Sequence, residues 1–381
     1  MAQELGLVWG YSCMQGWRDR MEDAHLAVPS LADFVETQLE GQADSGWSDT
    51  AVFGVMDGHG GEHVAHFCER YLPTEIARGS SEDVGRALCD AFHRMDELLA
   101  DPNNLDELQS LSNDISPQAF KSWQATPDCI GCTAVICCVR PDSVVVANAG
   151  DSRAVLCRRG KAIEMSEDHK PNLPSERARI RRAGGCVMEQ RIAGHTHYRV
   201  NGNLNLSRSI GDLGYKQNAN LSAQDQIICC TPDIKYFKRQ QGDEFMVIAC
   251  DGVWDVLSSQ EVVDYIRPQL GDLTDLEQRS AERSFRLSSI LEGLLDHCLS
   301  PDLAQTSGLG GDNMTLVLVA FAGAAASGSQ DYWLSAGQAF RVSCGPWLRS
   351  PWQGLCCSGG QDVVVPLQVK PSYGRVFKDS A

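Results

Sequence analysis

Apolar runs that end in a carboxylate constrain this chain more than any other feature of its sequence. Two continuous apolar runs are each followed by an aspartate and a glycine, and a third is preceded by an aspartate: residues 51–56, 245–250 and 314–319. The aspartates are Asp57, Asp251 and Asp312. Short apolar runs of this kind favour buried strands. Because a buried strand fixes the side chain at its tip, carboxylates at several distant tips indicate one assembled site.

The residue types at these strand ends suit a hard metal ion. Oxygen ligands are the donors that Mg²⁺ and Mn²⁺ prefer in proteins. Asp57 is the natural candidate to bridge two ions, and Gly58 after it lets a backbone carbonyl turn toward a metal as a further ligand. Asp251 and Asp312 would complete one coordination sphere. The pattern predicts a site that holds two ions with a water molecule between them.

Charged side chains near the N terminus and beside Asp57 extend the predicted site. Glu22 and Asp23 would hold water molecules of the second ion, because Mg²⁺ keeps much of its hydration. His59 is placed to protonate a leaving oxygen as a general acid. Arg18 is suited to bind two phosphate oxygens through its planar guanidinium. Metal ligands, a general acid and an arginine together indicate hydrolysis of a phosphate ester.

Each of these motifs also has an ordinary structural explanation when it is taken singly. An Asp-Gly pair is commonly a turn. Gly150-Asp151-Ser152-Arg153 has the composition of a hairpin turn between two strands, and Gly310-Gly311-Asp312 is equally a loop. It is the combination of the motifs in one chain that indicates a site.

Charge and cysteine usage restrict the partners and the compartment. The chain has a formal net charge of −17 and a pI near 4.9. Phosphate backbones and anionic lipids require clustered Lys and Arg, so we expect no nucleic acid and no membrane surface as a partner. The 16 cysteines lack zinc-finger spacing, and several lie in apolar runs. They are expected to be small buried hydrophobic residues rather than a disulfide framework.

The termini and the apolar stretches add an expectation about location. The N terminus shows no basic segment followed by an apolar core, and no apolar stretch is long enough to span a bilayer. We expect an intracellular protein, cytoplasmic, nuclear or both, without a transmembrane segment. No coiled coil or repeat is apparent, so we expect a monomer.

Strand and helix patterns occur in groups rather than in strict alternation. Strands are predicted at residues 7–13, 51–56, 133–139, 143–149, 227–237, 245–250 and 315–321, with a further pair across 158–160. Helices are predicted from residue 62 and at residues 84–99, 174–183, 262–270 and 284–299. Residues 30–49 are polar and acidic and are expected to form a surface excursion. This grouping favours a layered α+β fold over a doubly wound parallel sheet.

A series of motifs along residues 7–321 carries a family resemblance. They include Met21-Glu22-Asp23-Ala24-His25, Asp57-Gly58-His59-Gly60-Gly61, Leu206-Ser207-Arg208-Ser209-Ile210-Gly211-Asp212, Asp251-Gly252-Val253-Trp254-Asp255 and Gly311-Asp312-Asn313-Met314-Thr315. In this order they resemble the metal-dependent protein phosphatase family (PPM, the type 2C serine/threonine phosphatases). The resemblance implies an α+β fold, a four-layer α-β-β-α sandwich of two antiparallel sheets flanked by helices. Residues 1–321 would form the catalytic domain, and residues 322–381 a C-terminal tail of unknown structure.

The resemblance also implies a role for each motif residue in a site with two Mn²⁺ or Mg²⁺ ions between the sheets. The metal residues are Asp57 as the bridge, Gly58 through its carbonyl, Asp251, Asp312, and the supporting Glu22 and Asp23. Arg18 would hold the substrate phosphate, and His59 would be the acid. Asp151 and Asp255 match positions linked to a third, weaker metal ion in such enzymes.

Three hypotheses about function follow from these residues. The first is a protein serine/threonine phosphatase that acts on phosphoprotein substrates through a water molecule activated by two metal ions. The alternative is a catalytically silent pseudophosphatase that binds phosphoproteins, although no metal carboxylate is missing here. A third is a hydrolase of small phosphate esters. Residues 192–198 look like an insertion that would tune selectivity, and the sequence assigns no role to residues 322–381.

Overall fold

A computed structural model describes residues 5–39, 45–111, 126–192, 195–270 and 287–321, which belong to one compact unit. The predicted tail, residues 322–381, lies outside the described residues. Among the described helices, none is both long and apolar enough to cross a membrane.

Two five-stranded antiparallel sheets form the centre of the fold. The first sheet has the order β1-β15-β14-β8-β9, with β1 at Leu7–Met14, β8 at Arg153–Arg158, β9 at Lys161–Glu164, β14 at Asp243–Ala249 and β15 at Met314–Phe321. The second has the order β13-β7-β6-β3-β2, with β2 at Ala24–Val28, β3 at Ala51–Met56, β6 at Ala134–Val139, β7 at Ser143–Ala149 and β13 at Asp233–Lys238. Every pairing within them is antiparallel.

Smaller strand groups lie around these two sheets. A three-stranded group joins β4 (Gly58–His59), β5 (Gly131–Cys132) and β12 (Ile210–Gly211). A separate hairpin is formed by β10 (Val187–Ile192) and β11 (His195–Val200). The short strands matter for function because β4 follows β3 directly and carries two predicted site residues.

Helices cover the outer face of each sheet. Those on the second sheet are α1 (Leu31–Leu39), α2 (His63–Arg78), α3 (Val84–Ala100) and α4 (Leu105–Ser110). Those on the first sheet are α6 (Asp251–Trp254), α7 (Ser259–Leu270) and α8 (Leu287–Cys298). The remaining helix, α5 (Pro174–Arg182), packs with the β10–β11 hairpin.

Side chains of β3 show why the strand is apolar on both faces. Val52 and Met56 pack into the cluster under the helices, whereas Phe53 and Val55 pack into the cluster between the two sheets. Successive side chains of a strand point to opposite faces, so a sheet covered on both sides needs apolar residues at every position. The same alternation occurs in β15. The predicted α-β-β-α sandwich is therefore confirmed.

The stretch expected to be a surface excursion, residues 30–49, has exposed residues as expected but also contains structure that was not predicted. It contains α1 and a 3₁₀ turn at Ser45–Trp47, and both Leu31 and Trp47 have no exposed surface. The Trp47 indole N–H donates to the carbonyl oxygen of Gly79 at 3.3 Å. Two widely spaced apolar residues, Leu31 and Trp47, anchor this segment. The polar composition of the segment as a whole does not predict that anchoring.

Two further predictions of local structure were wrong. Only Asp233–Lys238 of the strand predicted at residues 227–237 pairs as a strand. The insertion at residues 192–198 forms the tip and the second strand of the β10–β11 hairpin, with residues 193 and 194 outside the described part. Its histidines, His195 and His197, therefore lie on strand β11.

Truncation of the core between the sheets tests the layered packing. Phe53→Ala should lower the free energy of unfolding by about 3–5 kcal/mol, because it leaves a cavity where both sheets pack. Met188→Ala removes a half-exposed apolar side chain from β10 and should change the free energy by less than about 0.5 kcal/mol. Urea unfolding measures both, and equal effects would contradict a core between the sheets.

Candidate metal-dependent phosphatase site

The strand ends that carry the predicted carboxylates meet at one end of the sandwich. β3 and β14 end there, β15 begins there, and the turn between β7 and β8 lies at the same edge. A cavity of about 510 Å³ opens at this point. Eight of the ten predicted site residues line it: Arg18, Glu22, Asp57, Gly58, His59, Asp151, Asp251 and Asp312.

Asp57 lies at the centre of the carboxylate group. Burial and the charges of the neighbouring carboxylates, Asp251 foremost, raise its pKa well above the ordinary value. Burial and the charge of Asp151 raise the pKa of Asp251 in the same way. Thr133 holds the backbone in place, since it donates its N–H to the Asp57 carbonyl at 2.9 Å and its hydroxyl accepts the Asp57 N–H at 3.2 Å. The raised pKa values of Asp57 and Asp251 show that negative charge exceeds positive charge in this cluster.

Asp23 lies beneath the cavity and does not line it. One ligand atom each of Asp23, Asp57 and Cys250 lies within 4.8 Å of the other two. Neither carboxylate oxygen of Asp23 has a hydrogen-bond partner among the described residues, although Thr315 and Cys250 lie near enough to lower its pKa. Burial outweighs them and raises the Asp23 pKa to about 7.

Two glycines let backbone segments approach closely enough to form this floor. A side chain at Gly58 would place its Cβ 2.2 Å from the Glu22 carbonyl oxygen, and one at Gly16 would lie 2.2 Å from the carbonyl oxygen of Asp312. Gly16 also has a φ of +63°, which L side chains rarely adopt. The loop between β1 and β2 therefore packs against the backbone of both β4 and the β15 entry.

Asn313 ties the same loop to the carboxylate cluster. Its Oδ1 accepts the Glu22 N–H at 2.8 Å, and its Nδ2 donates to the carbonyl oxygens of Gln15 at 2.7 Å and Arg20 at 2.8 Å. This one amide thus sets the path of the segment that carries Arg18 and Glu22. The sequence motif around Asp312 contained Asn313, but it gave no indication of this bridging role.

Arg18 is paired with a predicted metal ligand. Its Nη2 donates to Asp312 Oδ2 at 2.6 Å, while the side chain stays largely exposed at the cavity mouth. The arginine therefore stands beside the carboxylates with donors still directed at solvent. Arg199 of β11 also lines the cavity, and sequence reasoning gave it no role.

His59 is held by a buried aspartate that the sequence analysis did not single out. Its Nε2 lies 2.7 Å from Asp212 Oδ2, which also accepts the Ser209 hydroxyl at 2.5 Å. Burial lowers the pKa of His59, but the Asp212 carboxylate and other acidic groups raise it more, so the net shift is upward. The motif that ends in Asp212 was visible in sequence, whereas its contact with a residue 153 positions away was not.

The two residues predicted for a third ion, Asp151 and Asp255, both interact electrostatically with Lys170, whose side chain is 35% exposed. Lys170 Nζ donates to Asp151 Oδ2 at 2.6 Å. Burial lowers the Lys170 pKa, but the charges of Asp151, Asp251 and Asp255 raise it more, and the net shift is upward. The pKa of Asp255 is raised by burial, with the charge of Lys170 opposing that rise. A partly exposed cation thus already lies in this group.

The donor set fits divalent cations. The cavity and its floor collect carboxylate oxygens and the Gly58 backbone, which are the hard ligands that Mg²⁺ and Mn²⁺ prefer. Within the described residues, Arg18 forms an ion pair with Asp312 and Lys170 forms one with Asp151. Buried carboxylates that raise each other's pKa bind cations strongly, because a cation removes the cost of their repulsion. Asp57 and Asp251 carry the negative charge that such ions would offset most directly.

Comparisons with known proteins agree on one family. The family model described as Protein phosphatase 2C matches residues 8–304. "Probable protein phosphatase 2C 11" from Oryza sativa subsp. japonica is 40% identical over 342 residues, covering 82% of this chain and 84% of the relative. "Protein phosphatase 2C 1" from Paramecium tetraurelia is 38% identical over 320 residues, covering 83% of this chain and 93% of the relative.

Solved structures agree on the fold. A crystal structure of a phosphatase from Toxoplasma gondii has a TM-score of 0.57 and 23% sequence identity, and it covers 83% of this chain and 92% of that chain. A fold and cavity of this kind define the class of metal-dependent protein phosphatases. The chain belongs to the protein phosphatase 2C family, and is accordingly a serine/threonine protein phosphatase.

Removal of the Asn313 amide tests how the site is assembled. Asn313→Ala should lower the free energy of unfolding by about 2–3 kcal/mol, because it leaves a buried N–H and two carbonyl oxygens without their partner. The exposed Asn220 serves as a control, and Asn220→Ala should have an effect within about 0.5 kcal/mol. Urea unfolding distinguishes them, and an unchanged Asn313→Ala midpoint would contradict the bridging role.

Proposed function

We propose that this phosphatase hydrolyses phosphoserine and phosphothreonine in proteins by direct attack of water at a pair of Mn²⁺ or Mg²⁺ ions. The observation that carries the proposal is the convergence of five of the predicted carboxylates on one cavity that also holds Arg18 and His59. Bound at these carboxylates, the two ions would supply Lewis-acid chemistry and lower the pKa of the attacking water. Phosphoproteins are the substrates that this chemistry and the family indicate.

Three carboxylates and one carbonyl would hold the two ions. Asp57 would be the bridging residue, since the charges of the other acidic groups, Asp251 foremost, act on its carboxylate and the Gly58 carbonyl follows it directly. Asp251 and Asp312 reach the cavity from the opposite sheet. Glu22 and Asp23 would accept hydrogen bonds from water in the floor. Asp23 supports this role by having two buried oxygens without a hydrogen-bond partner among described groups.

Arg18 and His59 would act on the substrate itself. Arg18 lies at the mouth of the cavity, where its remaining N–H groups can donate to phosphate oxygens while Asp312 fixes the guanidinium. His59 bonds Asp212 through Nε2, and its protonated ring would supply the proton for the leaving oxygen. The buried Asp212 would hold the ring in place and favour its protonated form.

A third ion at Asp151 and Asp255 would have to share this position with Lys170. The ammonium group already bonds Asp151 at 2.6 Å, and its charge opposes the upward shift in the Asp255 pKa. We therefore infer that a third ion binds more weakly than the first two. Its entry would require the Lys170–Asp151 ion pair to open.

Removal of single carboxylates tests the metal pair. Asp57→Asn and Asp251→Asn should each abolish hydrolysis of a phosphothreonine peptide and reduce the number of Mn²⁺ ions bound in calorimetric titration, because each removes a ligand charge. Asp264→Asn changes the charge equally on the exposed face of α7 and should bind and turn over normally. EDTA should abolish hydrolysis of the peptide by the wild type, because it removes the metal ions. Full activity in EDTA, or unchanged Mn²⁺ binding in both site variants, would contradict the proposal.

Substitution of Asp212 tests the proposed acid. Asp212→Asn should lower turnover of a phosphothreonine peptide by about 10²-fold, since an alkoxide leaving group needs a proton from His59. Hydrolysis of p-nitrophenyl phosphate should fall much less, because its leaving group departs without protonation. His59→Gln should show the same selectivity, and the double variant should be no worse than either single one. Equal losses on both substrates would point to a general structural defect.

A further inference from the structure

Exposed apolar side chains are concentrated beside the active site. Across the described part of the chain five large apolar side chains are exposed, and three of them belong to two neighbouring loops. These are Trp17, Leu303 and Leu309, which are 45%, 37% and 42% exposed. Single exposed apolar residues are common on soluble proteins, but a contiguous group marks a binding surface more often. We refer to these three residues as the apolar shelf.

Backbone contacts join the two loops of the apolar shelf. The Trp17 indole N–H donates to the Ser300 carbonyl oxygen at 2.8 Å, and the Trp17 backbone N–H donates to the Gly311 carbonyl oxygen at 3.0 Å. Leu303 packs on the same Gly311, because a Cβ placed there would lie 2.6 Å from Leu303 Cδ2. Trp17 and Leu303 therefore both lie against Gly311. Leu309, two residues before Gly311, extends the surface.

The apolar shelf is continuous with the catalytic cavity. Trp17 directly precedes Arg18, and Gly311 directly precedes Asp312, and both of these following residues line the cavity and bond each other at 2.6 Å. A phosphoryl group that reaches Arg18 would thus bring the adjacent residues of its polypeptide next to Trp17. The loop of residues 300–311 is held by its own hydrogen bonds, for example Ser300 N–H to the Gly310 carbonyl at 2.9 Å, so the surface is preformed.

We propose that the apolar shelf binds an apolar side chain of the substrate that lies next to the phosphorylated residue. This inference rests on the proposed function and names the substrate class: phosphoserine or phosphothreonine flanked by a residue such as leucine. A peptide is the occupant because the shelf begins where the phosphate site ends. Burying a leucine against an indole and two leucines favours binding without altering the chemistry, so the preference should appear in KM and not in kcat.

The test uses the full chain with Mn²⁺ and two phosphothreonine peptides that differ only at the positions flanking phosphothreonine, leucine in one and asparagine in the other. The wild type should show a kcat/KM about tenfold higher for the leucine peptide, through KM. Trp17→Ser and Leu309→Ser should each bring that ratio toward one while leaving the asparagine peptide unaffected. Leu309→Ser guards against a folding defect, because it leaves the Trp17–Ser300 hydrogen bond intact.

Tyr236→Ser is the matched control, since Tyr236 is an exposed aromatic residue on β13 and does not line the cavity. It should keep the tenfold ratio. Equal kcat/KM values for the two peptides with the wild type, or an unchanged ratio in both shelf variants, would overturn the inference and leave the proposed function standing. Failure of the wild type to hydrolyse either peptide in Mn²⁺ would instead overturn the proposed function, and the inference with it.

Discussion

Electrostatic repulsion among buried carboxylates is the constraint on which the rest of this structure depends. Burial raises the pKa of both Asp57 and Asp251, and neighbouring carboxylates raise them further, Asp251 acting on Asp57 and Asp151 acting on Asp251. Such an arrangement survives only where rigid elements impose it and cations offset it. The two sheets provide the rigidity, and Lys170 and Arg18 provide part of the positive charge. The negative charge that remains would favour the binding of divalent cations.

A second group of residues acts by fixing the first. Thr133 holds the Asp57 backbone, Asn313 holds the segment with Glu22, and Asp212 holds His59. These contacts link residues that lie far apart in the chain, so the geometry of the site is a property of the whole fold. Catalytic groups need support of this kind because small displacements of a ligand or an acid are costly. Thr133, Asn313 and Asp212 are not proposed metal ligands, and their role is to hold the residues that form the site.

Sequence patterns predicted the parts of the fold that depend on local periodicity. The strands β3, β14 and β15 followed from apolar runs, and the carboxylates at their ends from the motifs themselves. Pairing over long separations was not predictable, which is why the Lys170–Asp151 and His59–Asp212 contacts were missed. The helix in residues 30–49 and the anchoring of this segment were not predicted, since the anchoring depends on two widely spaced apolar residues, Leu31 and Trp47. Residues 227–232 were predicted as part of a strand but lie outside β13, so an apolar sequence alone does not determine strand pairing.

The proposed metal ligands are divided between the two sheets, and this division has a consequence for the stability of the fold. Asp57 extends from the second sheet, whereas Asp251 and Asp312 extend from the first. An ion bound by all three would cross-link the layers and bind the native state far better than the unfolded chain. By mass action, an ion at a hundred times its dissociation constant would add about 2.7 kcal/mol to the stability of the folded protein. The concentration of the metal ion would then determine the stability of the folded chain as well as its catalytic activity.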